Sequence, residues 1–149
     1  MKQAFTCVIL AALFLAVAMT AEKPLTLKDL PPAIQKAVLA QTQGAEIKGL
    51  SKEVENGKTE YEVETILKGH TRDLMLDASG GLISVEEEAT LDSIPGPAKA
   101  AIQKQAVGGK ITRVEILTKG KTVAYEAGIN KGGKASEVSV KADGTPYKD

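Results

Sequence analysis

Gly57-Lys58-Thr59-Glu60-Tyr61-Glu62-Val63-Glu64-Thr65-Ile66-Leu67 is the stretch on which the fold turns. Its period is two. Tyr61, Val63, Thr65 and Leu67 fall on one side, Glu62 and Glu64 on the other, the pattern of a strand with one buried and one wet face. Asn56-Gly57-Lys58 ahead of it and Lys68-Gly69-His70 behind it are tight-turn signals, so the strand reads as one arm of an antiparallel meander.

The same pattern returns 64 positions further on. Tyr61-Glu62 falls on Tyr125-Glu126, Leu30-Pro31 on Ile94-Pro95, Ala37-Val38 on Ala101-Ile102, and Gly44 on Gly108. Leu74, Leu76, Ala78 and Gly80 meet Val138, Val140, Ala142 and Gly144. Gly57 meets Gly120 at a shift of 63, a one-residue difference at a hairpin tip, where it is tolerated. The order of turns and apolar positions predicts two repeats, 26–89 and 90–149, behind a linker at 19–25.

Each repeat opens with a helical pattern. Pro31 and Pro95 suit the first helical position, with Asp29 or Ser93 near enough to help cap. Ala33, Ile34, Ala37, Val38 and Gln41 follow helical spacing up to Gly44, as do Ala98, Ala101, Ile102 and Val107 before Gly108. After each helix come period-two strands: Val123, Tyr125, Ala127 and Ile129 share a face in the second repeat. Ala78-Ser79-Gly80-Gly81 and Ala142-Asp143-Gly144 turn again, into Leu82 to Glu86 and a stub at Pro146-Tyr147. The expected fold is α+β: two tandem copies of a helix packed on a three- or four-stranded antiparallel meander, their strands forming one curved sheet of about eight.

Residues 1–18 read as an export signal. Met1-Lys2 gives a positive start and Ala4 to Ala18 an apolar run, shorter than the ~20 residues of a membrane span. Ala16-Val17-Ala18 is an A-x-A site, with Thr20 or Ala21 as nearby alternatives. Cys7 sits near the front of the run, where a lipidated cysteine does not, and leaves with the signal. The mature chain then has no cysteine and no membrane span. An exported protein without a disulfide takes its stability from packing alone.

Composition narrows the function. Nineteen basic residues balance nineteen acidic ones, which excludes the basic footprint of a nucleic-acid binder. Aromatics are 3%, too few for base- or sugar-stacking platforms. One histidine and one cysteine cannot assemble a zinc or copper site. Asp77, Ser79 and Glu88 occupy the first, third and twelfth positions of an EF-hand loop, but Leu82 stands where that loop needs glycine and the flanks read as strands. His70 lies at a turn without a nucleophile or an orienting partner. Glu60, Glu62, Glu64 and Glu86-Glu87-Glu88 lack subsite residues for hydrolysis and read as solvated strand faces that also discourage edge pairing. No catalytic, cofactor or metal residue is expected.

The motifs Leu30-Pro31-Pro32-Ala33, Gly57-Lys58-Thr59-Glu60-Tyr61-Glu62-Val63 and Leu74-Met75-Leu76-Asp77-Ala78-Ser79-Gly80-Gly81-Leu82-Ile83 resemble the PepSY-like family, in its tandem beta-lactamase-inhibitor-like branch. The resemblance runs from about Leu25 onward and rests on turn and core positions. It implies a non-enzymatic, exported or periplasmic protein that binds or inhibits a peptidase or another envelope enzyme. The namesake inhibitor fold carries disulfides that this mature chain cannot form. The alternative is a structural or sensory envelope protein that takes up a small ligand or a peptide strand. Hairpin tips or the open sheet face are the expected contact surface, with Lys58, His70, Arg72, Lys119 and Lys121 as the partner-binding residues.

Overall fold

The computed structural model describes residues 25–55 and 57–148. The expected export signal at 1–18 and Cys7 lie outside the described residues, as does most of the linker. A short 3-10 turn, Leu27–Asp29, leads into helix α1, Pro32–Gln41. Four strands follow: β1 Glu46–Glu55, β2 Lys58–Leu67, β3 His70–Asp77 and β4 Leu82–Glu88. Helix α2, Gly96–Gln105, precedes β5 Lys110–Lys119, β6 Thr122–Lys131 and β7 Lys134–Val140.

The strands form one antiparallel sheet in chain order, β1 to β7. This corrects the expected architecture of two tandem helix-plus-meander copies. The decisive pairing is β4 with β5, Val85 opposite Thr118 through Glu88 opposite Glu115. Left apart, two meanders would expose two further rows of backbone N–H and C=O groups, and pairing satisfies both. The molecule is therefore a single seven-stranded sheet carrying two helices, only weakly α+β. The expected eighth strand is a single bridge between Val140 and Pro146, since proline has no N–H to extend a ladder.

Both helices lie on the same face of the sheet. Ile34 and Val38 of α1 pack with Tyr61, Val63, Leu74 and Leu76, and Ala98 and Ile102 of α2 with Val114, Ala127 and Val140. Register carries that face across the join, because Leu74 opposes Val85 and Val85 opposes Thr118. Each helix starts one residue later than expected: Pro31 and Pro95 are the N-caps, and neither Asp29 nor Ser93 caps an α-helix. Asp29 instead accepts hydrogen bonds from Thr26, and Ser93 donates to the Thr90 carbonyl. Val107, expected to continue the apolar face of α2, lies beyond its end and is 68% exposed.

The turns after β3 and β7 fasten the helices to the sheet. Asp77 N–H bonds the Gly81 carbonyl, and Lys141 N–H bonds the Thr145 carbonyl. Gly80 (φ 89°) and Gly144 (φ 83°) sit in the left-handed region and lie against α1 and α2. A β-carbon would come within 3.1 Å of the Ala33 carbonyl oxygen at Gly80, and within 2.7 Å of the Pro97 carbonyl oxygen at Gly144. Conformation and close approach both require glycine there.

Candidate binding face

Alternation on every strand sends the side chains opposite the helices to a face on which no described element packs. Ser51 and Glu53 of β1, Glu60, Glu62 and Glu64 of β2, and Asp73 and Met75 of β3 point there. Ser84, Glu86 and Glu88 of β4 continue it, then Arg113, Glu115, Leu117 and Lys119 of β5, Glu126 of β6, and Glu137 and Ser139 of β7.

Register turns this list into rows. Glu64, Asp73 and Glu86 stand directly opposite one another on β2, β3 and β4. Glu88, Glu115 and Glu126 do the same on β4, β5 and β6. The Glu86-Glu87-Glu88 run is thereby split: Glu87 faces the helix side, where it pairs with Arg72 at 3.4 Å.

Three local contacts hold the acids in place. The Ser51 hydroxyl donates to Glu62, the Ser139 hydroxyl donates to Glu126 at 2.6 Å, and Glu88 accepts from the Thr71 N–H at 3.0 Å. Arg113 bonds Glu137 across β6 and approaches Glu115 at 3.1 Å. Gly128 makes that crossing possible, since a β-carbon there would stand 3.0 Å from the Arg113 side chain. Burial, reinforced by the carboxylates of Glu126 and Glu115, pushes Glu86 up to about 7. Burial likewise raises Glu62 and Glu115 above the usual carboxylate range, against the pull of Ser51 on the first and Arg113 on the second.

A concavity of about 520 Å³ opens on this face. Met75, Ile83, Leu117 and Tyr147 give it apolar surface, and Glu60, Glu86, Glu126 and Glu137 line it with carboxylates. A neighbouring one of about 680 Å³ runs from Gly57, Lys58 and Thr59 to Asp77, Ser79 and Lys119.

The five nominated contact residues do not form one cluster. Lys58, Lys119 and Lys121 lie at the sheet end that carries the β1–β2 and β5–β6 turns, and Lys58 and Lys119 share the second concavity. His70 and Arg72 start β3 at the opposite end. Arg72 is largely enclosed: it donates to the Gln41 carbonyl at 3.2 Å and pairs with Glu87, tying α1 to the sheet. His70 stands 3.7 Å from Glu88. Sequence reasoning missed Asp73, Glu115, Glu126 and Glu137 as members of the face. Alternation around Tyr125 gave the side for Glu126, but only the strand order makes the acids neighbours.

Asp77 accepts hydrogen bonds from the Ser79 N–H, the Ser79 hydroxyl and the Gly81 N–H. The Ser79 and Gly81 bonds hold its carboxyl below the usual range and spend it on the turn. No group of acidic, histidine or cysteine ligands with metal-binding geometry occurs among the described residues. No helix among them is long and apolar enough to cross a membrane.

No protein-family model matches the chain, and no curated protein does. Solved structures do. A DUF2874 family protein from Bacteroides uniformis superposes with a TM-score of 0.63 at 14% identity, over 79% of this chain and 86% of that one. A protein from Bacteroides eggerthii, provisionally called periplasmic, gives 0.65 at 13% identity over 80% and 86%. A BLIP-like (beta-lactamase-inhibitor-like) protein from Bacteroides fragilis gives 0.58 at 16% identity over 80% and 84%. At these identities the likeness establishes the fold: this chain has the helix-backed antiparallel sheet of the DUF2874 and BLIP-like structures.

Proposed function

We propose that this protein is a non-enzymatic, exported binding module that engages another envelope protein through the open face of its sheet. The observation that carries the reading is a seven-stranded sheet covered by helices on one face and by no described element on the other. A face fixed by six strand pairings loses little conformational freedom on binding, so contact energy is retained. The periplasmic and inhibitor-like names of structures with the same fold support export and a binding role. PepSY-like membership and inhibition of a peptidase are the finer form of this reading. Lys58, Lys119 and Lys121 would contact a partner from one end of the face and His70 from the other; Arg72, which faces the helix side, would serve there by holding α1 on the sheet.

The test is affinity capture from an envelope fraction with three proteins: wild type, a variant altered on the open face (Met75→Ser with Glu126→Gln), and one altered on the exposed helix surface (Lys36→Ser with Leu39→Ser). The reading expects a folded partner retained by the helix variant and lost by the open-face variant. Retention by the open-face variant with loss by the helix variant overturns it.

A further inference from the structure

The open face carries its negative charge in directly opposed rows, Glu64–Asp73–Glu86 and Glu88–Glu115–Glu126. Like charges in opposed positions destabilise a sheet, and Glu115 and Glu126 raise that cost because each is only 8% exposed. Arg113 offsets the second row at one side, where it meets Glu115 and Glu137. A face that only had to stay wet would intersperse lysine with glutamate at lower cost. Beside the rows, apolar surface from Met75, Ile83, Leu117 and Tyr147 lines the same concavity as Glu86 and Glu126.

We infer, building on the open-face reading above, that the partner presents an amphipathic cationic segment, Lys or Arg flanked by apolar side chains, to the concavity between Glu86 and Glu126. Charge complementarity selects this occupant. An ammonium or guanidinium set among the rows replaces repulsion by attraction in a partly water-excluded site, where each charge counts for more than on an open surface. The apolar flanks meet Met75, Ile83 and Leu117. An anionic segment meets the same rows as repulsion, so the face sorts partners by sign.

The groups facing Glu86 give the interaction a pH dependence. They are Asp73 from β3, Glu115, Arg113 and Lys119 from β5, Glu126 from β6, Glu137 from β7 and Glu60 from β2. Only Arg113 and Lys119 among them are positive. Glu86 ionises near pH 7, so a cation binds more tightly as pH rises through that value, and binding at pH 7 releases a fraction of a proton.

The experiment titrates the intact protein by calorimetry with two synthetic peptides of equal length, one alternating Lys and Leu, the other Glu and Leu. The Lys–Leu peptide should bind and the Glu–Leu peptide should not. Its affinity should fall at least tenfold in Glu64→Gln/Glu86→Gln/Glu126→Gln, fall as NaCl rises from about 50 to about 300 mM, and rise from pH 6 to pH 8. The glutamine variant removes like-charge repulsion, so it stays folded, and its melting temperature confirms this. Lys36→Gln on α1 should leave affinity unchanged. Equal binding of both peptides, or insensitivity to the glutamine changes, overturns the inference. So does self-association of the chain that these changes abolish, since a second copy would then be the occupant. If the envelope partner still requires the open face while the Lys–Leu peptide fails, the cationic inference falls and the binding-face reading stands. If capture depends on the helix surface instead, both fall.

Discussion

The two faces of the sheet come from the same strands and follow opposite rules. On the helix side, Val63, Leu74, Leu76, Ala98 and Ile102 are at most 1% exposed, and the side chains that form the core there are apolar. Burial of such groups is the main favourable term in folding. On the other side the same ladders set glutamate against aspartate and glutamate against glutamate. One face holds the molecule together, and the other costs it stability. Residues that cost stability without serving the core are common at functional sites.

The sharpest way to break this contrast is to truncate the helix side. Leu76→Ala should lower unfolding free energy by about 2–5 kcal/mol, and Tyr61→Ala by about 3–5, in urea denaturation. Tyr125 is only half-buried where Tyr61 is 6% exposed, so Tyr125→Ala should cost less than Tyr61→Ala. A cost below ~1 kcal/mol at Leu76 would mean that the two faces are exchanged, as a one-residue slip would do. The glycine fasteners come next. Gly144→Ala should cost about 1–3 kcal/mol from positive φ alone, and more than Gly80→Ala because the Pro97 carbonyl is the closer neighbour.

On the open face the sign reverses. The Glu86 carboxyl is raised in the folded chain, so between its ordinary value of 4.5 and about 7 the native state keeps a proton that the unfolded chain has lost. Stability from this group is present below that window and is lost as pH rises through it. Glu86→Gln should therefore flatten the fall in melting temperature between pH 5 and pH 8, and melt higher than wild type at pH 8. A variant that melts lower at pH 8 would remove the argument that this face is a cost. The smallest expected effect is that of calcium. Asp77 is already spent on the Ser79 and Gly81 bonds, so millimolar calcium should leave the melting temperature unchanged, whereas a native-state site would raise it.

The particular residues show how far reading the chain could go. Tyr61, Val63, Leu74 and Leu76 were legible as core because a strand's side chains alternate with strict period two. Asp77-Ala78-Ser79-Gly80 was legible as a turn because aspartate and glycine satisfy and bend the backbone locally. The capping of α1 and α2 was read one residue early, since Pro31-Pro32 and Pro95-Gly96-Pro97 each offer more than one start. Lys58, His70, Arg72, Lys119 and Lys121 were nominated as charged residues near turns. The sequence could not show that Arg72 is enclosed against α1 or that His70 lies at the other end from Lys121.

The sequence by itself placed β2, β3, β4, β6 and β7 with their turns and, on β2 and β6, which side chains share a side, because those depend on neighbours two to four positions away. Only the tertiary structure decided that β4 pairs with β5, that the sheet ends at seven strands, and that Glu64, Asp73 and Glu86 stand abreast. Strand pairing across a helical excursion is a contest among backbone edges far apart in the chain. Its outcome depends on which edges are left unsatisfied once both helices have docked, and no local pattern records that.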